Sequence, residues 1–76
     1  MTQGDDRILE TLESSGIVLS PAVLAYNTDY TRNYVNKRLR KLRNNDLVER
    51  VDSGYYRITE RGRAYLAGEL NAEKLE

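Results

Sequence analysis

The chain has 76 residues, neither cysteine nor histidine, and twelve basic against twelve acidic side chains, for a net charge of zero. That length allows one small domain, which buries only about 60% of the surface its unfolded form exposes; with no Cys or His, no disulfide staples it, a zinc site loses its usual ligands, and the commonest catalytic base and strongest neutral-pH nucleophile are missing. The longest apolar run, Ile17-Val18-Leu19, is far short of the roughly 20 residues of a bilayer span, so the composition predicts a cytoplasmic binding module with no enzymatic activity, cofactor, metal or membrane partner.

In chain order, the first element is a helix over 5–14. Asp5 and Asp6 suit its N-terminal turn, where the helix dipole favours negative charge, and Ile8, Leu9 and Leu12 form its apolar stripe. Gly16 is placed to take the left-handed conformation just past its end. The run Ile17-Val18-Leu19 is too short for a helix and reads as a brief strand. Ser20-Pro21 then restarts helix, with Ser20 as N-cap and Pro21 at the first helical position, where its missing N–H costs nothing. This second helix is two turns long, over 21–27, and Asn27-Thr28-Asp29 is a turn.

Thr31 caps a third helix over 31–44. Val35, Leu39 and Leu42 form one apolar edge, and on a 100° wheel Asn33, Lys37, Arg40 and Asn44 point away from it, flanked by Arg32, Asn36 and Lys41. Two β-prone runs follow, over 47–51 and 55–59. Asp52-Ser53-Gly54 between them is a tight hairpin turn with Gly54 supplying positive φ. Thr59 caps a fourth helix over 60–70 whose apolar side is Tyr65, Leu66 and Leu70. Gly62 is a weak helix residue but sits in the first turn, where the cost is small. The domain is expected to be ordered over about 5–70, with 71–76 a frayed tail.

The zero net charge hides a segregation. Residues 1–31 carry −4, residues 32–63 carry +6 and residues 64–76 carry −2. Arg32, Lys37, Arg38, Arg40, Lys41 and Arg43 fall within twelve residues that contain no acid. Most charge runs are solvated helix faces, but such faces usually mix signs to gain i,i+4 pairs. A local one-sign stripe is the electrostatic footprint of a nucleic-acid binder.

The order of elements is therefore helix, short strand, short helix, tight turn, basic helix, hairpin, helix. This predicts a mainly α fold with a small β-hairpin: a winged helix-turn-helix with a three-helix core, a β-wing and a C-terminal fourth helix. In a helix-turn-helix the second helix enters the major groove and the first crosses the backbone. Residues 27–31 supply the turn, Ala25 the small residue at the crossing, and the helix over 31–44 the reader. The wing over 47–59 would reach backbone or minor groove with Arg50 and Arg57.

Ser20-Pro21, Leu24-Ala25, Arg32-Asn33-Tyr34-Val35, Lys37-Arg38-Leu39, Leu47-Val48-Glu49-Arg50, Gly54-Tyr55-Tyr56-Arg57-Ile58-Thr59, Gly62 and Tyr65-Leu66 resemble the small archaeal winged-helix regulators related to the repressor of the halophilic archaeal phage phi-H. The resemblance covers essentially residues 5–70. The pattern from Leu47 to Thr59 with Gly62 is shared by many winged-helix repressors, whereas 32–39 points to this subgroup. It implies sequence-specific binding of double-stranded DNA and transcriptional repression, through third-helix residues that map to Arg32, Asn33, Tyr34, Asn36, Lys37 and Arg40. One departure is the charge: proteins of halophilic archaea usually carry a strong excess of acid, and this chain carries none.

Residue by residue, two readings stand side by side. Arg32 is a guanine or phosphate contact, or a surface arginine in a first turn that the dipole makes unfavourable for a cation. Asn33 and Asn36 read adenine, or are simply tolerated. Lys37 and Arg40 contact phosphate or base. Arg38 lies nearer the buried edge and pairs instead with an acid of another helix; Lys41 and Arg43 are peripheral. Tyr34 touches DNA or packs beside Val35, Tyr30 bonds a phosphate or packs, and Ser20 caps its helix and reaches a phosphate. Tyr65, Leu66 and Leu70 form a homodimer surface through the C-terminal helix, or cover their own core. The competing function is a winged-helix protein–protein interaction module without DNA binding, which an exposed cluster of Tyr26, Tyr30 and Tyr34 would favour.

Overall fold

The structure, a computed structural model, describes residues 3–68. Its elements are α1 (Gln3–Ser15), α2 (Pro21–Thr28), α3 (Arg32–Asn44), β1 (Val48–Val51), β2 (Tyr55–Ile58) and α4 (Glu60–Leu66). This is the winged helix-turn-helix order.

Side-chain caps start three of the four helices. The hydroxyl oxygens of Ser20, Thr31 and Thr59 accept from the backbone N–H groups of Val23, Tyr34 and Gly62, each satisfying a donor that has no intrahelical partner. Asp29, in the left-handed region at φ 64°, ends α2 and turns the chain into α3. Gly16, at φ 65°, follows α1 in the same way.

Periodicity then decides the core. Ile8, Leu9 and Leu12 of α1, Leu24 of α2, Val35, Leu39 and Leu42 of α3, and Leu47, Val48 and Ile58 of the hairpin are all buried. Each buried aliphatic side chain stabilises the fold by about 1.5–3 kcal/mol relative to leaving it exposed. Ala25, Tyr30, Tyr56, Tyr65 and Leu66 pack against this cluster from its edge.

The hairpin pairs Val48 with Ile58, Glu49 with Arg57, Arg50 with Tyr56 and Val51 with Tyr55. Both Asp52 (φ 54°) and Gly54 (φ 134°) take positive φ at the turn, so the left-handed work expected of the glycine is shared. Within the run expected as a strand over 17–19, only Leu19 pairs. Its N–H donates to the carbonyl of Tyr56 at 2.9 Å and its carbonyl accepts from the Tyr56 N–H at 2.8 Å, while Ile17 and Val18 stay exposed.

Two expectations need correction. The fourth helix ends at Leu66 rather than running to residue 70, because Gly68 turns out of the helix at φ 82°. Leu70 and the tail over 71–76 lie outside the described residues. Gly62, read above as a tolerated weakness, is required: a Cβ there would collide with the carbonyl oxygen of Leu47 and with the Ile58 side chain. The first turn of α4 lies directly on the backbone that joins α3 to the wing. Around it, Thr59 donates from its hydroxyl to the carbonyl of Asp46 at 2.6 Å, and Arg61 Nε donates to that of Asn45 at 3.2 Å.

Candidate nucleic-acid interface

The exposed face of α3 and the wing enclose two adjoining grooves. One is lined by Asn33, Asn36, Lys37, Arg40 and Arg43 of α3 with Arg50 and Tyr56 of the hairpin. The other runs from the start of α2, at Ser20, Pro21 and Ala22, past Arg32 and Asn36 to Arg50 and the wing residues Ser53, Gly54, Tyr55 and Tyr56. Asn36, Arg50 and Tyr56 line both, so the two form one concave surface.

Three local causes build this surface. The aliphatic seam of Val35, Leu39 and Leu42 turns the opposite side of α3 outward. The three-residue turn sets the hairpin register so that Arg50 shares a face with Tyr56 and the buried Val48 and Ile58. Hydrogen bonding of Tyr56 to Leu19 ties the wing to the segment that leads into α2.

Electrostatically the surface is of one sign. No acidic residue lines either groove, and five cations do: Arg32, Lys37, Arg40, Arg43 and Arg50. Among the described residues, none of these five side chains makes an ion pair or a hydrogen bond to protein. Elsewhere arginines face carboxylates: Arg38 meets Asp5, Arg57 meets Glu49, and Arg63 meets Glu13 at 3.0 Å. Arg32 also sits in a first turn with no acid to offset it, a position the helix dipole makes unfavourable for a cation. Unpaired like charges crowded in a concavity raise the potential there and attract anions.

Seven residues expected to act together thus share the concave surface: Ser20, Arg32, Asn33, Asn36, Lys37, Arg40 and Arg50. Arg43, read as peripheral, joins them. It lies seven residues beyond Asn36, only about 20° away on the helical wheel, and that spacing was the signal for it.

Three expected site residues fall elsewhere. Arg57 stands on the opposite face of the hairpin from Arg50 and pairs with Glu49. Tyr30 and Tyr34 are half-buried with ring centroids 5.0 Å apart, and the Tyr34 ring occupies the space over Gly4, where any Cβ would overlap it. Of the three tyrosines that would have formed an exposed cluster, only Tyr26 is exposed, at 85%. Tyr65 donates its hydroxyl to Asp6 at 2.6 Å and, with Leu66, packs on its own core. Among the described residues no cluster of His, Cys, Asp or Glu could hold a metal, and no helix is long and apolar enough to cross a membrane.

Comparison with known proteins gives three concordant matches. The family model described as the winged helix-turn-helix phage repressor matches residues 1–76. The repressor protein of Halobacterium phage phiH is 36% identical, over all of this chain and 90% of the relative. The crystal structure of the PhiH1 repressor-like protein from Haloarcula marismortui superimposes with a TM-score of 0.85 at 40% identity, covering 95% of this chain and 83% of that one.

Proposed function

The chain belongs to the winged helix-turn-helix phage repressor family, a family of regulators rather than enzymes, and from that premise we propose that it is a cytoplasmic, sequence-specific repressor that binds double-stranded DNA. In this reading α3 enters the major groove, led by its N-terminal half, and the wing follows the backbone or the adjacent minor groove. Asn33 and Asn36 offer amides suited to adenine edges, and Arg32 and Arg40 offer guanidinium groups suited to guanine or phosphate. Lys37, Arg43 and Arg50 neutralise phosphates, and the capping hydroxyl of Ser20 lies beside the backbone.

The observation that carries this reading is the group of five unpaired cations on an acid-free concave surface. A solvated face with no ligand gains by mixing signs; this one forgoes that gain. The competing interaction module loses its main support because Tyr30 and Tyr34 pack inward. Tyr65 and Leu66 are partly buried against their own core, the alternative to a surface that pairs two copies through the C-terminal helix.

The test is a fluorescence-anisotropy titration against a labelled duplex between about 50 and 200 mM salt. Five neutralised phosphates predict a slope of log K on log salt of roughly −4 to −5. In the Lys37→Ala/Arg40→Ala variant the slope should shrink by about 2 and binding should weaken by about 2–4 kcal/mol. A folded parent that shows no salt-dependent binding would refute the proposal.

A further inference from the structure

Reading DNA with α3 requires that the helix hold one roll angle about its axis. Its buried seam does not guarantee this. Aliphatic contact is non-directional. A directional hold comes from Arg38, on the flank of α3 next to Lys37. Its Nε donates to Asp5 Oδ1 at 2.7 Å and its Nη2 to Oδ2 at 2.6 Å. The Asp5 side chain is fully buried and that of Arg38 is 17% exposed. A planar guanidinium meeting a carboxylate through two parallel bonds fixes orientation as well as distance.

The neighbours of Asp5 extend this hold. Gly4 leaves the space that the Tyr34 ring fills, and Tyr34 and Arg38 are one helical turn apart on α3. Asp6 accepts from the Tyr65 hydroxyl of α4. Three consecutive residues of α1 thus meet two turns of the reading helix and brace against α4. Asp5 lies outside both grooves.

We infer that Asp5 is a positioning residue for DNA recognition: through its two-pronged bond to Arg38 it sets the roll of α3 and so the aim of Asn33, Asn36, Lys37 and Arg40. The inference rests on the DNA reading proposed above. It separates aim from charge, because the pair contributes no free cation to the groove. Loss of the pair should lower discrimination between sequences and leave the salt dependence alone.

The experiment compares two probes: a duplex that the parent protein enriches from a randomised pool, and the unselected pool. The variant is Asp5→Leu/Arg38→Met, since replacing both members of a buried pair by apolar groups is often neutral or stabilising, whereas removing one is not. The double variant should melt with the parent, bind the pool with the parent's affinity and salt slope, and lose about tenfold of its preference for the enriched duplex, the discrimination of one base contact. A merely structural role would weaken both probes equally. Arg38→Lys keeps the charge and loses the fork; it should lose part of the preference, and it serves as the readout if the double variant does not fold. A folded variant with an unchanged preference overturns the inference. A parent that binds the pool but enriches nothing from it overturns it together with sequence-specific reading, and a parent that binds no duplex refutes the DNA reading itself.

Discussion

Arg50 and Arg57 stand on adjacent strands of one hairpin, both exposed, and they live in different circumstances. Arg50 shares a face with Tyr56, looks into the groove beside α3 and has no side-chain partner. Arg57 is on the other face, locked to Glu49. The contrast extends across the molecule. Arg38 and Arg63, like Arg57, join elements through carboxylates, while Arg32, Lys37, Arg40 and Arg43 face the groove unmatched. In a chain with no net charge, three arginines thus join elements through carboxylates while five cations line one acid-free groove. Bulk charge and isoelectric point are blind to that sorting.

The sharpest way to break the contrast is to give the groove an acid. Asn36 lies four residues from both Arg32 and Arg40, so Asn36→Glu creates two i,i+4 pairs. It should weaken duplex binding by about 3 kcal/mol or more, as like charges meet across the interface, while moving stability by about 0.5 kcal/mol or less. Anisotropy and thermal melting on the same sample separate the two. Gly62→Ala makes the reverse cut. The new Cβ meets the Leu47 carbonyl, and such overpacking costs about 1–3 kcal/mol. Chemical denaturation should register that loss with the salt slope of binding unchanged. The smallest effect is expected at Arg57→Ala: an exposed pair contributes about 0–1 kcal/mol, and duplex affinity should stay within about 0.5 kcal/mol of the parent. An Arg57→Ala variant that loses as much affinity as Arg50→Ala would erase the distinction between the two faces.

Much of this arrangement was legible in the chain because its causes are local. The caps at Ser20, Thr31 and Thr59 act over three residues, and the inward edge of α3 follows from a period of 3.6. The sorting of Arg50 from Arg57 was not, since it depends on register: only once Arg50 pairs with Tyr56 does Arg57 fall on the far face. Asp5 was read as an acid suited to the dipole of its own helix. Its partner Arg38 is 33 residues away, and no periodicity reaches that far. An acid for Arg38 was expected, but the sequence could not say which. Gly62 was misjudged for a similar reason. Propensity measures what a residue does to its own helix, and this glycine is fixed by the backbone of another segment.

The helices at the two ends of the described chain are themselves neighbours. Tyr65 reaches Asp6 across 59 residues, and Arg63 reaches Glu13 across 50. Of the described elements α1 leaves the ribosome first and α4 after all the others, so Asp6 and Glu13 meet their partners only once the elements between have been made. Every residue of the groove is synthesised before α4, and so are Asp6 and Glu13, which wait for Tyr65 and Arg63. Closing so long a loop adds little beyond a shorter one, because the entropy cost grows only as the logarithm of length. A chain truncated before Glu60 would keep α3 and the wing but leave Asp6 and Glu13 without Tyr65 and Arg63, and limited proteolysis should cut it faster than the parent.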